Sequence, residues 1–237
     1  MRLTKQKPKV YIFTGHYGSG KTEAAVNFAI HLKELSPERN VAIVDMDIVN
    51  PFFRTADAAK PLIDHGIRVE LPLYAQTNVD VPALTPQMEY LIREKDWDVV
   101  LDIGGDDVGA KAVGRYMDEI VKRDYELYLV LNKNRPFTKD MEGALKIYGE
   151  IADSCGIPFT GIVNNTHLLQ FSSEEDVKKG EAFMHEFSKA TGIPSAFNCV
   201  MESVIEKASP DFEETLSEPL FVMGEYIKLL WDRSSLC

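Results

Sequence analysis

Apolar positions along this chain switch repeatedly between two spacings. Val10-Tyr-Ile-Phe-Thr14 is a continuous β-prone run, bounded by a glycine-rich turn, and predicts a buried strand. From Lys21 to Leu35 the residues Ala24, Ala25, Phe28, Ala29, Leu32 and Leu35 fall on one helical face, and Ser36-Pro37 ends that helix. The same alternation continues. Strands are predicted over 41–45, 68–73, 98–103, 126–131, 159–163 and 195–200. Helices are predicted over about 86–95, 110–122, 138–154, 173–190, 202–208 and 218–232. Strand and helix in turn predict an α/β fold of three layers, a mostly parallel sheet with helices on both faces. No internal repeat or low-complexity linker interrupts the 237 residues, which read as a single domain, 1–237.

Composition narrows the class. Hydrophobic residues make up 45% and charged residues 27%, the balance of a soluble globular chain. A net charge of −11 argues against a nucleic-acid surface. Cys155, Cys199 and Cys237 stand far apart with no C-x-x-C, which argues against a zinc or iron–sulfur site and fits a reducing cytoplasm. The basic start, Met1 to Lys9, lacks the apolar core and cleavage site of a signal peptide. No apolar run approaches the roughly 20 residues that span a bilayer. In the last predicted helix, Leu220, Met223, Ile227 and Leu230 share a face. Glu218, Glu225 and Asp232 offset Lys228 and Arg233, so this face is expected to pack on the core and no membrane contact is expected.

The chemistry concentrates between the first strand and the first helix. Gly15-His-Tyr-Gly-Ser-Gly-Lys-Thr22 fits the phosphate-binding loop G-x-x-x-x-G-K-[ST], and it stands in the strand–loop–helix context that the motif requires. Gly15, Gly18, Ser19 and Gly20 would turn backbone N–H groups toward phosphate oxygens, helped by the positive end of the helix. Lys21 would reach the β- and γ-phosphates, and the Thr22 hydroxyl would ligate Mg²⁺. A dinucleotide-binding reading fails, because Glu23 stands where the third glycine of G-x-G-x-x-G belongs.

In open α/β sheets, ligands bind beyond the carboxyl ends of the strands. Asp45 and Asp47 follow the second predicted strand. Val99-Val-Leu-Asp102 describes a Walker B strand whose carboxylate, Asp102, holds Mg²⁺. Gly105 follows three residues later, where a glycine N–H can meet a γ-phosphate and lose it on hydrolysis. Asp47 is a candidate to position or deprotonate an attacking water; its simpler reading is a cap on the turn before Pro51. Asp106 and Asp107 read as solvated loop charges, or as partner contacts if this loop is a switch.

Taken together, Gly15 to Thr22, Val44-Asp-Met-Asp-Ile-Val-Asn-Pro51 and Asp102-Ile-Gly-Gly105 resemble the MinD/ParA/Mrp branch of P-loop ATPases. Gly161-Ile-Val-Asn-Asn165 resembles the segment whose last Asn reads the adenine edge there. The chain is also similar to a bacterial group of ATP-binding proteins carrying G-H-Y-G-S-G-K-T-E and D-x-G-G-D. The resemblance covers residues 10–165. It implies the P-loop NTPase fold, ATP with Mg²⁺, switch loops at Asp47 and Gly105, and nucleotide-dependent homodimers. It gives Lys21 to phosphate, Thr22 and Asp102 to Mg²⁺, Asp47 to the water and Asn165 to the base. Two positions depart from the family. His16 stands where the family has its second P-loop lysine, and a histidine is a poor permanent cation. Asp102-Ile-Gly-Gly-Asp-Asp107 replaces the usual D-[ST]-P-P-G.

GTP-binding proteins read guanine with the Asp of [NT]-K-x-D. Asn132-Lys-Asn-Arg135 matches the first two letters, but Arg135 would repel the donors of guanine, so ATP is expected. Arg54 and Arg135 are candidates to reach phosphate. The expected function is a Mg²⁺-ATP-binding protein with slow ATPase activity, acting as a switch or loading factor for a protein client. One alternative is an ATP-dependent small-molecule ligase or kinase on the same fold; another is a ParA/MinD-like positioning ATPase.

Overall fold

Successive strand side chains point to opposite faces, and here both faces are apolar, so the sheet is buried on both sides. The computed structural model describes residues 7, 9–47, 55–72, 85–105, 114 and 116–227. Eight described strands form one sheet: β1 (Val10–Thr14), β2 (Asn40–Asp45), β3 (Arg68–Glu70), β4 (Trp97–Asp102), β5 (Tyr125–Leu131), β6 (Gly161–Asn164), β7 (Ser195–Met201) and β8 (Leu220–Met223). Their order is β3-β2-β4-β1-β5-β6-β7-β8, and every pairing is parallel. The described helices are α1 (Lys21–Leu35), α2 (Ala59–Asp64), α3 (Pro86–Arg93), α4 (Met117–Ile120), α5 (Met141–Cys155), α6 (Glu174–Thr191) and α7 (Glu202–Ile205).

In β1, Tyr11 and Phe13 face one core and Val10 and Ile12 the other. The first core holds α1 and α2, with Phe28 packed among Tyr11, Phe13, Tyr128, Phe197 and Phe221. The second holds α3, α4, α5 and α6. This is the expected three-layer α/β arrangement.

Differences from the sequence pattern are local, with one exception. The described part of the segment 110–122 is helical only over Met117–Ile120, and α2 with its preceding 3-10 turn Thr55–Ala58 was not expected. The exception is the C-terminus. The predicted helix over 218–232 is instead an edge strand: Leu220–Met223 pairs with β7. Leu220 and Met223 satisfy helical spacing, but Phe221 and Met223 are buried while Val222 is exposed, which is the period of two. Pairing with an open β7 edge overrides the ambiguous local pattern. Leu230 and the rest of that predicted helix beyond Ile227 lie outside the described residues, as do Arg54, Asp106, Asp107 and Cys237.

Candidate nucleotide-binding site

Parallel register places the chemistry at one end. Asp45 pairs with Asp102 across β2 and β4, and Phe13, the residue before Thr14, pairs with Asp102 across β1 and β4. The phosphate loop therefore leaves β1 directly beside both carboxylates. Gly20, with φ of 81°, ends the loop and starts α1 without any side-chain cap. By contrast, Thr85, Asp140 and Ser173 cap α3, α5 and α6. The first bond of α1 runs from the Ala24 N–H to the Gly20 carbonyl, so the N–H groups of Lys21, Thr22 and Glu23 precede it. Gly105 rests on the loop so closely that a Cβ there would overlap the Gly15 carbonyl.

Lys21 is buried, and its Nζ lies 2.7 Å from Asp47 Oδ2. The Asp47 N–H donates to Asp45 Oδ1 at 2.9 Å. The Thr22 hydroxyl bonds Asp102, and Thr55 Oγ1 donates to Asp102 Oδ2 at 3.3 Å. Three carboxylates thus surround one ammonium. Burial works against the Lys21 charge, but Asp102, Asp47 and Asp45 outweigh it and raise its pKa. Burial, then the Asp102 charge, pushes Asp45 up to about 8. Burial pushes Asp102 up to about 6 against the pull of Lys21. The cluster carries more acid than one lysine can hold ionised.

A divalent cation fits that imbalance. Asp102 Oδ1 is fully buried with no hydrogen-bond partner among the described residues, and so are Thr14 Oγ1 and Ser19 Oγ. No group of three or more His, Cys, Asp or Glu side chains among the described residues is arranged to hold a metal. Mg²⁺ needs none, because it takes one or two protein oxygens and completes its shell with water and phosphate. Thr22 and Asp102 are the residues that would hold it.

Two loops approach the phosphate loop from outside. Asn165 Nδ2 donates to the Ser19 carbonyl at 2.7 Å, and Arg135 Nε donates to the Gly18 carbonyl at 2.7 Å. Asn165, implied as a base contact, therefore has its amide N–H on the protein backbone; a base contact would use its Oδ1. His16 packs edge-on against Phe137, and burial together with Lys21 lowers its pKa further. It supplies no permanent cation. His167, which in the sequence reads only as part of Asn164-Asn-Thr-His167, a candidate metabolite site for the small-molecule alternative, lies against Gly20.

A parallel α/β sheet with a glycine loop between β1 and α1, a buried lysine and a buried aspartate at the end of β4 defines a P-loop nucleotide-binding fold. The Zeta toxin family profile matches residues 2–126, just over half of the chain, so the chain belongs to the Zeta toxin family, which is P-loop and kinase-like. No curated protein matches in sequence. Among solved structures, the cell division protein FtsY of Thermotoga maritima is 20% identical, with a TM-score of 0.50 over 83% of this chain and 63% of FtsY. The signal recognition particle receptor FtsY of Elizabethkingia anophelis, in complex with GDP, is 15% identical, with a TM-score of 0.51 over 83% of this chain and 58% of that one. The chain spans less than two thirds of these FtsY chains, and the likeness shows the fold. No described helix is long and apolar enough to cross a membrane.

Proposed function

We propose that the protein is a Mg²⁺-ATP-binding P-loop protein of the MinD/ParA/Mrp-like branch, with slow ATPase activity, acting as a nucleotide-dependent switch for a protein client. The observation that carries this reading is the Lys21–Asp47 pair. An incoming phosphate must part Lys21 from Asp47, and it must settle beside Gly105, which rests on the same loop. Phosphate occupancy would thereby be sensed at Asp47 and Gly105, as a switch requires. Mg²⁺, held by Thr22 and Asp102, would supply charge neutralisation at the β- and γ-phosphates. Freed from Lys21, Asp47 would orient water. Adenine is favoured over guanine because a cation, Arg135, occupies the place of the guanine-reading carboxylate.

Membership in a kinase-like family favours a second reading, phosphoryl transfer from ATP to a small molecule. One variant separates the two. Asp47→Ala should bind ATP at least as tightly as the unaltered protein, since it loses the competitor for Lys21, and cleave it more than tenfold more slowly, on the order expected for loss of a general base. Used as bait, it should retain a protein from cell extract with ATP and release it with ADP. If instead no protein depends on the nucleotide and a metabolite accelerates ADP formation, the kinase reading takes its place.

A further inference from the structure

The outer side of the phosphate loop is gripped at consecutive peptides by side chains from distant parts of the chain. The Gly18–Ser19 peptide is pinned at both ends: Arg135 Nε donates to its oxygen at 2.7 Å, and its N–H donates to the His16 carbonyl at 2.9 Å. The next peptide, Ser19–Gly20, is pinned through its oxygen by Asn165 Nδ2. Gly20 is pressed from the same side, where a Cβ would overlap Asn165 Nδ2 and approach His167 Nε2 within 3.0 Å. A peptide is planar and trans, so its C=O and N–H point in opposite directions. Holding the Ser19 carbonyl outward therefore turns the Gly20 N–H inward, toward the cradle.

The gripping side chains are themselves fixed. Asn132 is fully buried, and its Oδ1 accepts from the N–H groups of Asn134 and His167 at 3.0 and 3.4 Å, while its Nδ2 donates to the His167 carbonyl at 3.3 Å. Its own carbonyl accepts from Thr138 Oγ1 at 2.6 Å and from the Arg135 N–H at 3.2 Å. Lys133 N–H donates to Thr166 Oγ1 at 3.1 Å, and Asn165 N–H to the Leu131 carbonyl at 2.8 Å. The loops after β5 and β6 thus form one cross-tied unit. In it, His167 Nδ1 accepts from the Leu169 N–H, which leaves the imidazole proton on Nε2, facing Gly20. Burial and the Arg135 charge push the His167 pKa down to about 4, so the ring stays neutral. Among the described residues no carboxylate forms an ion pair with Arg135.

We propose that Arg135 and Asn165 are positioning residues that fix the Gly18–Gly20 backbone with the Gly20 N–H facing the cradle, so that the loop is preorganised for the diphosphate common to nucleoside di- and triphosphates. Preorganisation removes the cost of ordering the loop upon binding. Because the brace acts on the loop and not on the terminal phosphate, it strengthens ADP and ATP alike. The inference rests on the nucleotide-binding reading above, and it gives Arg135, a candidate to reach phosphate, and Asn165, implied as a base contact, the role of loop braces.

The test is calorimetric titration of the whole chain with ADP, ATP and inorganic pyrophosphate, each with Mg²⁺. Arg135→Ala should weaken all three by a similar factor, roughly tenfold, the size expected for one charge-assisted hydrogen bond. Arg135→Lys, which keeps a donor and the charge, should restore part of the loss. Asn165→Asp, which sets an acceptor against the Ser19 carbonyl, should weaken binding more, and the Arg135→Ala/Asn165→Asp pair should be less than additive. Arg135 is half-buried and pairs with no carboxylate among the described residues, so the unfolding midpoint of nucleotide-free Arg135→Ala should fall by no more than about 4 °C. Unchanged affinities in Arg135→Ala would overturn the brace while leaving nucleotide binding intact, provided Lys21→Ala abolishes it. A loss for ATP much larger than for ADP would also overturn it, assigning Arg135 to the γ-phosphate. Failure of the unaltered protein to bind any of the three ligands would overturn both the brace and the nucleotide reading.

Discussion

Strand β4 carries an aspartate at each end, Asp98 and Asp102, and both are fully buried. At the amino end, Asp98 Oδ1 accepts from the Lys9 N–H at 2.9 Å, and Oδ2 from Arg39 Nη1 at 2.7 Å. Nearby, Arg123 spends its guanidinium on the carbonyls of Leu91, Ile92 and Trp97. At the carboxyl end, Asp102 has one oxygen with no hydrogen-bond partner among the described residues, next to two more carboxylates and a single lysine. The residue type, the burial and the strand are the same. Asp98 closes one end of a sheet, and Asp102 keeps an acceptor that no described residue meets. A buried acid whose partners are all protein is structural; one left unmatched among the described residues is a candidate functional group.

The sharpest way to break this comparison is to neutralise each acid in turn. Asp98→Asn removes the carboxylate that meets Arg39 and the Lys9 N–H and should lower stability by about 1–3 kcal/mol in denaturant unfolding. Its affinity for Mg²⁺-ATP should stay unchanged. Asp102→Asn should do the reverse, staying within about 1 kcal/mol of the unaltered protein while Mg²⁺ ceases to improve ATP binding, a loss on the order of 100-fold. Equal stability losses in the two variants would show that both ends are structural.

A smaller effect is expected from pH. The folded-state pKa values of Asp45 and Asp102 are raised, so the native state binds more protons than the unfolded chain between about pH 4 and 8. Stability of the metal-free protein is therefore full below the unfolded carboxylate range and falls as pH rises toward 8, by a few kcal/mol at most on the order of the linkage relation. Asp45→Asn should flatten most of that slope, and a slope that persists in this variant would place its origin outside the cluster.

Glycines sharpen the contrast further. Gly105→Ala drives a methyl group into the Gly15 carbonyl and should cost about 1–3 kcal/mol in stability, along with nucleotide affinity. In helix α5, far from such contacts, Gly149 has open space around its Cα. Gly149→Ala should raise stability by about 0.5–1 kcal/mol. The two melting curves should move in opposite directions.

Much of this was legible in the sequence because it is local. The phosphate loop needs eight consecutive residues, and β1 and α1 coincide with the bounds that their apolar spacing predicts. Asp47, Asp102 and Gly105 were readable as strand-end residues because ligands in such sheets gather there. The brace was not. Arg135 and Gly18 lie 117 residues apart, and Asn165 and Ser19 lie 146 apart, so no spacing rule connects them. Leu220–Met223 was misread because four apolar residues fit either period, and the available β7 edge decided between them.

By itself the sequence determined the α/β class, the glycine loop between β1 and α1 and the strand-end positions of Asp45 and Asp102, since short-range periodicity and motif spacing depend only on neighbours along the chain. Tertiary structure alone decided which acid meets Lys21, which aspartate of β4 stays unmatched, and which side chains hold the loop from behind. Those outcomes depend on strand order and register, which bring residues together across the sheet whatever their separation in sequence.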